Sequence, residues 1–312
     1  MNIESLKLLN SKEVFEMLPD EKVVKGSLKS IKSALNGEGV FKDATLSEEV
    51  IEDACSLSGV PFRFFNKCDV QLKSQIMDKF FKPETTVNFV ISNNIVKFLS
   101  VSQYVPFRDI FSIFAERVKP IGIQYPSIDD PHILNFITNE NKSATRVKND
   151  VTHIGVTLKM SPSITHGSLI ETGPFLLRLI CTNGMLEQED RLERWNSRDF
   201  NRGEIESGIE RSLVTSKRIL DQFLETEKQE LKDPTFVLHK ICTEGRVREP
   251  IQRKLLNQVP TLGNKPTLYD VLNMVTSYAN TLKLGDFRRL QFASGSWVAA
   301  EATRCPACKA KL

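Results

Sequence analysis

Long hydrophobic runs are missing from this 312-residue chain. Without a stretch of about 18 consecutive apolar residues, no membrane-spanning helix is expected. The opening residues MNIESLKLLNSKEVFEML place acids among the apolar positions. They have neither the basic start nor the small-residue cleavage site of a secretory leader, so the chain reads as intracellular. Neither sign of charge is much in excess: 42 Lys and Arg against 39 Asp and Glu leave +3, too little to demand a polyanionic partner. Glycine-rich phosphate loops of Walker or dinucleotide spacing are absent, as are internal repeats and low-complexity segments. With no catalytic or cofactor signature in view, an enzyme is the less favoured class.

What is present is ordinary globular material, 40% hydrophobic and 26% charged, enough for a full core in two packed domains or one elaborated domain. The charge is unevenly spread. Residues 1–220 hold 28 basic and 29 acidic side chains, residues 221–312 hold 14 and 10, so the excess lies in the last third. Of six cysteines, Cys55, Cys68, Cys181 and Cys242 sit in apolar segments and read as small hydrophobes, unpaired in a reducing compartment.

Apolar spacing predicts helices through the first eighty residues: Leu6, Leu9, Val14 and Leu18 up to Pro19, then Val50, Ile51, Ala54 and Leu57 behind a Thr45/Glu48 capping box, then Leu72, Ile76, Met77 and Phe80 behind Asp69. The period then changes. TTVNFVIS and IVKFLSV flank Asn93-Asn94, a hairpin signal because asparagine tolerates left-handed backbone. After a helix at Asp109–Val118, strands are expected at Ile121–Tyr125, Ile133–Thr138, Val151–Met160 and Ser168–Thr182. From Met185 onward the pattern is helical. Asn201 and Thr267 stand as caps, shorter helices are expected near 235–243 and 250–259, and a final strand is expected at Arg288–Ala300. These elements predict an α+β fold with a central, mostly antiparallel sheet, helices at its N-terminal side and a helical C-terminal region. The expected divisions are a helical region 1–82, a β-rich core 83–186, a helical region 187–284 and a basic tail 285–312.

Four stretches, in order, carry a family resemblance: VPFRFFNK at 60–67, VKFLSVSQYVPF at 96–107, the strand pair at 154–185 with Arg178, Cys181, Asn183 and Gly184, and TLYDVLNMVTSY at 267–278. Together they resemble the phage- and plasmid-associated family catalogued as domain of unknown function 932. Two departures stand out: Val101-Ser102 stands where that family usually has Ser-Asp, and Ser161-Pro162-Ser163 replaces its Asn-Ser-His-type turn. The resemblance implies a mobile-element origin, a host-cell cytoplasmic setting, and a context of replication, recombination or host interaction. It implies no mechanism.

The candidate sites follow from chemistry. Asn183-Gly184 reads as a tight turn presenting backbone donors, with Arg178 aimed at phosphate or carboxylate; alternatively the turn is only structural and Arg178 pairs across the sheet. Cys181, with His153 and His166 on neighbouring segments, has the residue types of a nucleophile but lies in an apolar run. Cys305-Pro306-Ala307-Cys308 is half a tetrahedral zinc site, which Cys242, His239 or another subunit would have to complete. Asp129, Asp130 and His132 could hold a divalent metal, although turn chemistry accounts for them better. Lys240, Arg246, Arg248, Arg253, Lys254, Arg288 and Arg289 form a basic group that would neutralise phosphates, with Phe287 or Phe292 to stack on bases. The bland alternative is a solvated surface balanced by Glu244, Glu249 and Asp286. The arginines of 191–218 are interleaved with acids and read as a salt-bridged helix face.

The favoured function is therefore a phage- or plasmid-encoded, non-enzymatic, homo-oligomeric protein binding DNA or RNA in replication or recombination, for example on single strands. The alternative is a virion or host-interaction protein, regulatory or anti-defence, that binds no nucleic acid.

Overall fold

The computed structural model describes residues 8–36, 38–124, 132–145, 151–178, 183–186 and 192–301. Its first elements are α1 (Ser11–Met17), β1 (Glu21–Ser27), α2 (Ser30–Leu35), β2 (Thr45–Leu46), α3 (Glu48–Leu57), α4 (Phe62–Lys67) and α5 (Val70–Phe80). The hairpin β3 (Thr86–Ser92) and β4 (Ile95–Ser100) follows. Asn93 and Asn94 join its strands at φ 53° and 57°, the left-handed pair that a two-residue turn of the favoured twist needs. This N-terminal part is not all helix, as its spacing predicts. β1 runs antiparallel to β3, and β2 runs parallel to β4, giving the order β1-β3-β4-β2. Lys22 and Lys25 make β1 too polar to announce itself, but charge suits an edge strand. The first domain division therefore fails, because residues before 83 complete a sheet with residues after it. Thr45 enters β2, and Ser47 caps α3 instead. Asp69 caps α5, accepting from the Leu72 amide at 2.7 Å. Ile31, Val50, Ala54, Phe65 and Met77 close this core over Val87, Phe89, Val96 and Leu99.

The central elements are α6 (Phe107–Val118), β5 (Gly122–Gln124), β6 (Ile133–Ser143), β7 (Val151–Ser163), β8 (Gly167–Arg178), β9 (Asn183–Leu186) and β10 (Glu193–Asn196). They form an antiparallel sheet of order β10-β8-β7-β6-β5, with β9 also beside β8. β7 and β8 pair from Thr152↔Arg178 to Ser163↔Gly167. Alternation puts Leu134, Phe136, Val156, Leu158 and Ile170 on one face, buried with α6 residues and with Ile205 and Ile209 of the long helix α7 (Arg202–Glu225). Phe136 lies between Phe111 and Phe114, with ring centroids 5.6 and 5.5 Å away. α7 is also pinned to the sheet by a hydroxyl: Ser216 accepts from the Phe175 amide at 3.2 Å and donates to the Gly155 carbonyl at 2.6 Å.

The last elements are α8 (Pro234–Glu244), α9 (Glu249–Leu256), α10 (Leu268–Ala279) and α11 (Leu284–Glu301). Thr267 and Asp270 cap α10 reciprocally, as their spacing predicts. The expected strand at 288–300 is helix. Phe287, Leu290, Ala293, Ser294, Trp297 and Val298 are buried at three- and four-residue steps, which only a helix brings to one side. Phe287, Leu290, Ala293, Trp297 and Val298 join Phe223, Val237, Ile241, Leu272 and Val275, with Ile154 and Leu176 of the sheet, in a single cluster. Residues from 285 to Glu301 are thus part of the packed bundle and not a tail. The segment from Met185 likewise contributes β9 and β10 before its first helix. The architecture is α+β, with two mostly antiparallel sheets and a helical C-terminal region.

Candidate nucleic-acid interface

α8 ends in a Schellman motif. The Val247 amide reaches back to the Cys242 carbonyl at 2.8 Å and the Arg246 amide to the Thr243 carbonyl at 3.1 Å. The residue past the cap in this motif is left-handed and is usually glycine. Here it is Arg246, at φ 48°. The available glycine sits one position earlier, where packing uses it: a Cβ on Gly245 would stand 2.5 Å from the Ala293 Cβ. Close approach of α8 to α11 therefore takes the glycine, and the left-handed position falls to an arginine.

Next to this contact lies a groove of about 800 Å³ lined by Glu244, Gly245, Arg246, Arg289, Phe292, Ala293 and Ser296. The α11 members fall at steps of three, four and seven, one helical face. Arg246 and Arg289 are exposed, and neither meets a carboxylate at ion-pair distance among the described residues. Phe292 is partly buried, packing against Ile137, Phe175 and Leu177 of the sheet while lining the groove. The groove thus offers two guanidinium forks at its sides and part of an anchored aromatic ring, with Glu244 as the opposing charge.

The other basic candidates separate. Arg248 forms a two-point pair with Asp286, its Nε 3.0 Å from Oδ1. Arg253 reaches Glu249 one turn back at 2.6 Å. Lys240 lies 4.8 Å from the centre of the Phe236 ring, a cation–π contact. Lys254 is exposed on α9 and has no partner among the described residues. Arg288 precedes Arg289 on α11. The Arg178 backbone ends β8, next to Leu177, which packs on Phe292. Fold topology therefore brings Arg246 and Arg289 to one groove.

Asn183 and Gly184 are corrected. They open β9, opposite Arg178 and Leu177, and are strand residues and not the expected turn. The pairing of β8 with β9 sets this register. Cys305 and Cys308, like Cys181, Asp129 and Asp130, lie outside the described residues. Cys242 is buried in the helical cluster, where burial pushes its thiol up to about 11, so at neutral pH it keeps its proton. Among the described residues no group of three or more His, Cys, Asp or Glu gathers as metal ligands. His153 is buried, its Nδ1 3.0 Å from the Thr138 carbonyl. His132 stacks edge-on to Phe107 at 5.2 Å. Three arginines on or beside α7 are salt-bridged: Arg194 to Glu171, Arg202 to Glu116 and Glu206, Arg211 to Glu193.

Gly245, Ala293 and Ser296 escaped the sequence-based site. Their signal was the helical spacing of 289, 292, 293 and 296, hidden while 288–300 read as strand. No family model matches the chain, and neither a curated protein nor a solved structure matches it. Among the described residues, no helix is long and apolar enough to cross a membrane.

Proposed function

We propose that this is a non-enzymatic nucleic-acid-binding protein, encoded by a phage or plasmid and acting in replication or recombination. The observation that carries this reading is the α8–α11 groove, where Arg246 and Arg289, beside Phe292, have no carboxylate partner among the described residues. Arginine forks match phosphate oxygens two at a time, and releasing counterions from a phosphate backbone drives binding that needs little net charge elsewhere. The basic excess of residues 221–312 and the resemblance to a mobile-element family point the same way.

Fluorescence-anisotropy titration with labelled DNA of about 20 nucleotides tests the proposal. Affinity should fall by about ten-fold between 50 and 200 mM salt, as two or three phosphate contacts require. No binding to single or double strands at micromolar protein in about 50 mM salt would reject it. A stable protein partner co-purifying without nucleic acid would then favour a host-interaction role.

A further inference from the structure

We infer that Arg246 and Arg289 form a phosphate clamp for one nucleotide of a single strand, with its base against Phe292, and that Arg246 is kept left-handed for this contact. The inference rests on the nucleic-acid reading and adds the ligand's form and the residues that hold it.

Three observations converge. Arg246 occupies the one position of its turn where glycine is favoured and a side chain is penalised. Nothing in the capping bonds needs a side chain there, because all of them run through backbone atoms. Strain of this kind points from the outlier toward a use for the residue, and the side chain lines the groove. Second, Arg289 lines the same groove from the facing helix and, like Arg246, has no ion-pair partner among the described residues. Third, Phe292 is anchored by Ile137, Phe175 and Leu177, so an arriving base meets a ring that is already held in place. A duplex shows only base edges in its grooves and keeps the base faces stacked internally. An aromatic at the side of a groove is therefore served by an unpaired base. Glu244 faces the same space and opposes the phosphate, so its charge limits affinity.

The test compares the full-length protein with R246G, R289Q, F292L and E244Q, by thermal melting and by anisotropy with single-stranded and duplex DNA of equal length. R246G should melt higher by about 2 °C, because glycine relieves the left-handed backbone. It should also bind single strands about ten-fold more weakly. R289Q should lose a similar factor without a change in melting. F292L should weaken single strands while leaving the salt slope unchanged, and E244Q should tighten binding several-fold. R246G that melts higher with affinity unchanged would reduce Arg246 to an unfavourable cap and overturn the clamp. R246G that melts lower would overturn the inference that Arg246 is held left-handed at a cost for this contact. Equal affinity for duplex and single strands, with F292L silent, would overturn the single-strand form while leaving nucleic-acid binding intact. Failure of the unaltered protein to bind either DNA would instead reject the proposed function itself.

Discussion

Gly167→Ala is expected to lower stability by about 3 kcal/mol, far more than an alanine at other left-handed glycines of the chain. Gly167 opens β8 at φ 75°, a backbone region that costs a side chain about 1–2 kcal/mol. The surroundings add to this. A Cβ there would run into the Gln103 carbonyl oxygen and the Ser197 hydroxyl. Neither can retreat cheaply. The Ser197 hydroxyl is bonded to the Gln103 carbonyl at 2.5 Å, accepts from the Ser168 amide at 2.6 Å, and is fully buried. Three chain segments therefore meet at the missing side chain. Gly59 gives the control: φ is 67° and a Cβ would meet nothing within 4 Å, so Gly59→Ala should cost only about 1 kcal/mol. Urea denaturation of both variants reads the difference. Equal losses would mean that the contact at Gly167 yields easily.

Glu171→Gln should cost about 2 kcal/mol at neutral pH and nearly nothing in acid. Glu171 is 3% exposed and joins three strands: Lys159 of β7 at 2.7 Å and Arg194 of β10 at 2.8 Å. Burial alone pushes this carboxyl up. The hydrogen bond and charge of Lys159, followed by those of Arg194, outweigh burial and hold it below the usual carboxylate range. A carboxylate with a depressed pKa contributes its stability in full above its unfolded pKa and loses it as pH falls through the folded value. The gap between the two proteins should thus be widest near pH 7 and should close at acid pH below the carboxylate range. Arg194 is half exposed, so water compensates part of the loss, which keeps the figure under the 3–5 kcal/mol typical of fully buried pairs. Chemical denaturation across this pH range measures it, and a gap independent of pH would show that packing, not charge, holds the strands.

How much of this could be read from the sequence follows from how local each signal is. The Asn93-Asn94 turn, the Asp69 and Thr267 caps and the β7–β8 strands are written within a few residues of themselves, and each is present. β1 is not, because its partner is β3 and its own residues are half polar. α11 was hidden because Phe, Trp and Val around Gly295 resemble a strand until the bundle supplies a surface for every third and fourth residue. At the candidate site the basic residues were visible as charges, but their availability was not. Arg248 is spoken for by Asp286, 38 positions away, while Arg246 gains its exposure from a backbone turn that sequence spacing does not mark.

β1 is synthesised before anything it can bond to. The β3–β4 hairpin can zip on its own once both strands clear the ribosome, but Glu21 must wait for Ser92 to be translated. Pairing so distant in sequence slows folding and leaves apolar edges uncovered meanwhile. The backbone edge of β3 from Thr86 to Ser92 is what stays unpaired on any nascent or clipped chain that lacks residues 21–27. Loss of that first strand would turn a well-behaved protein into one that seeks a neighbour's strand to replace it.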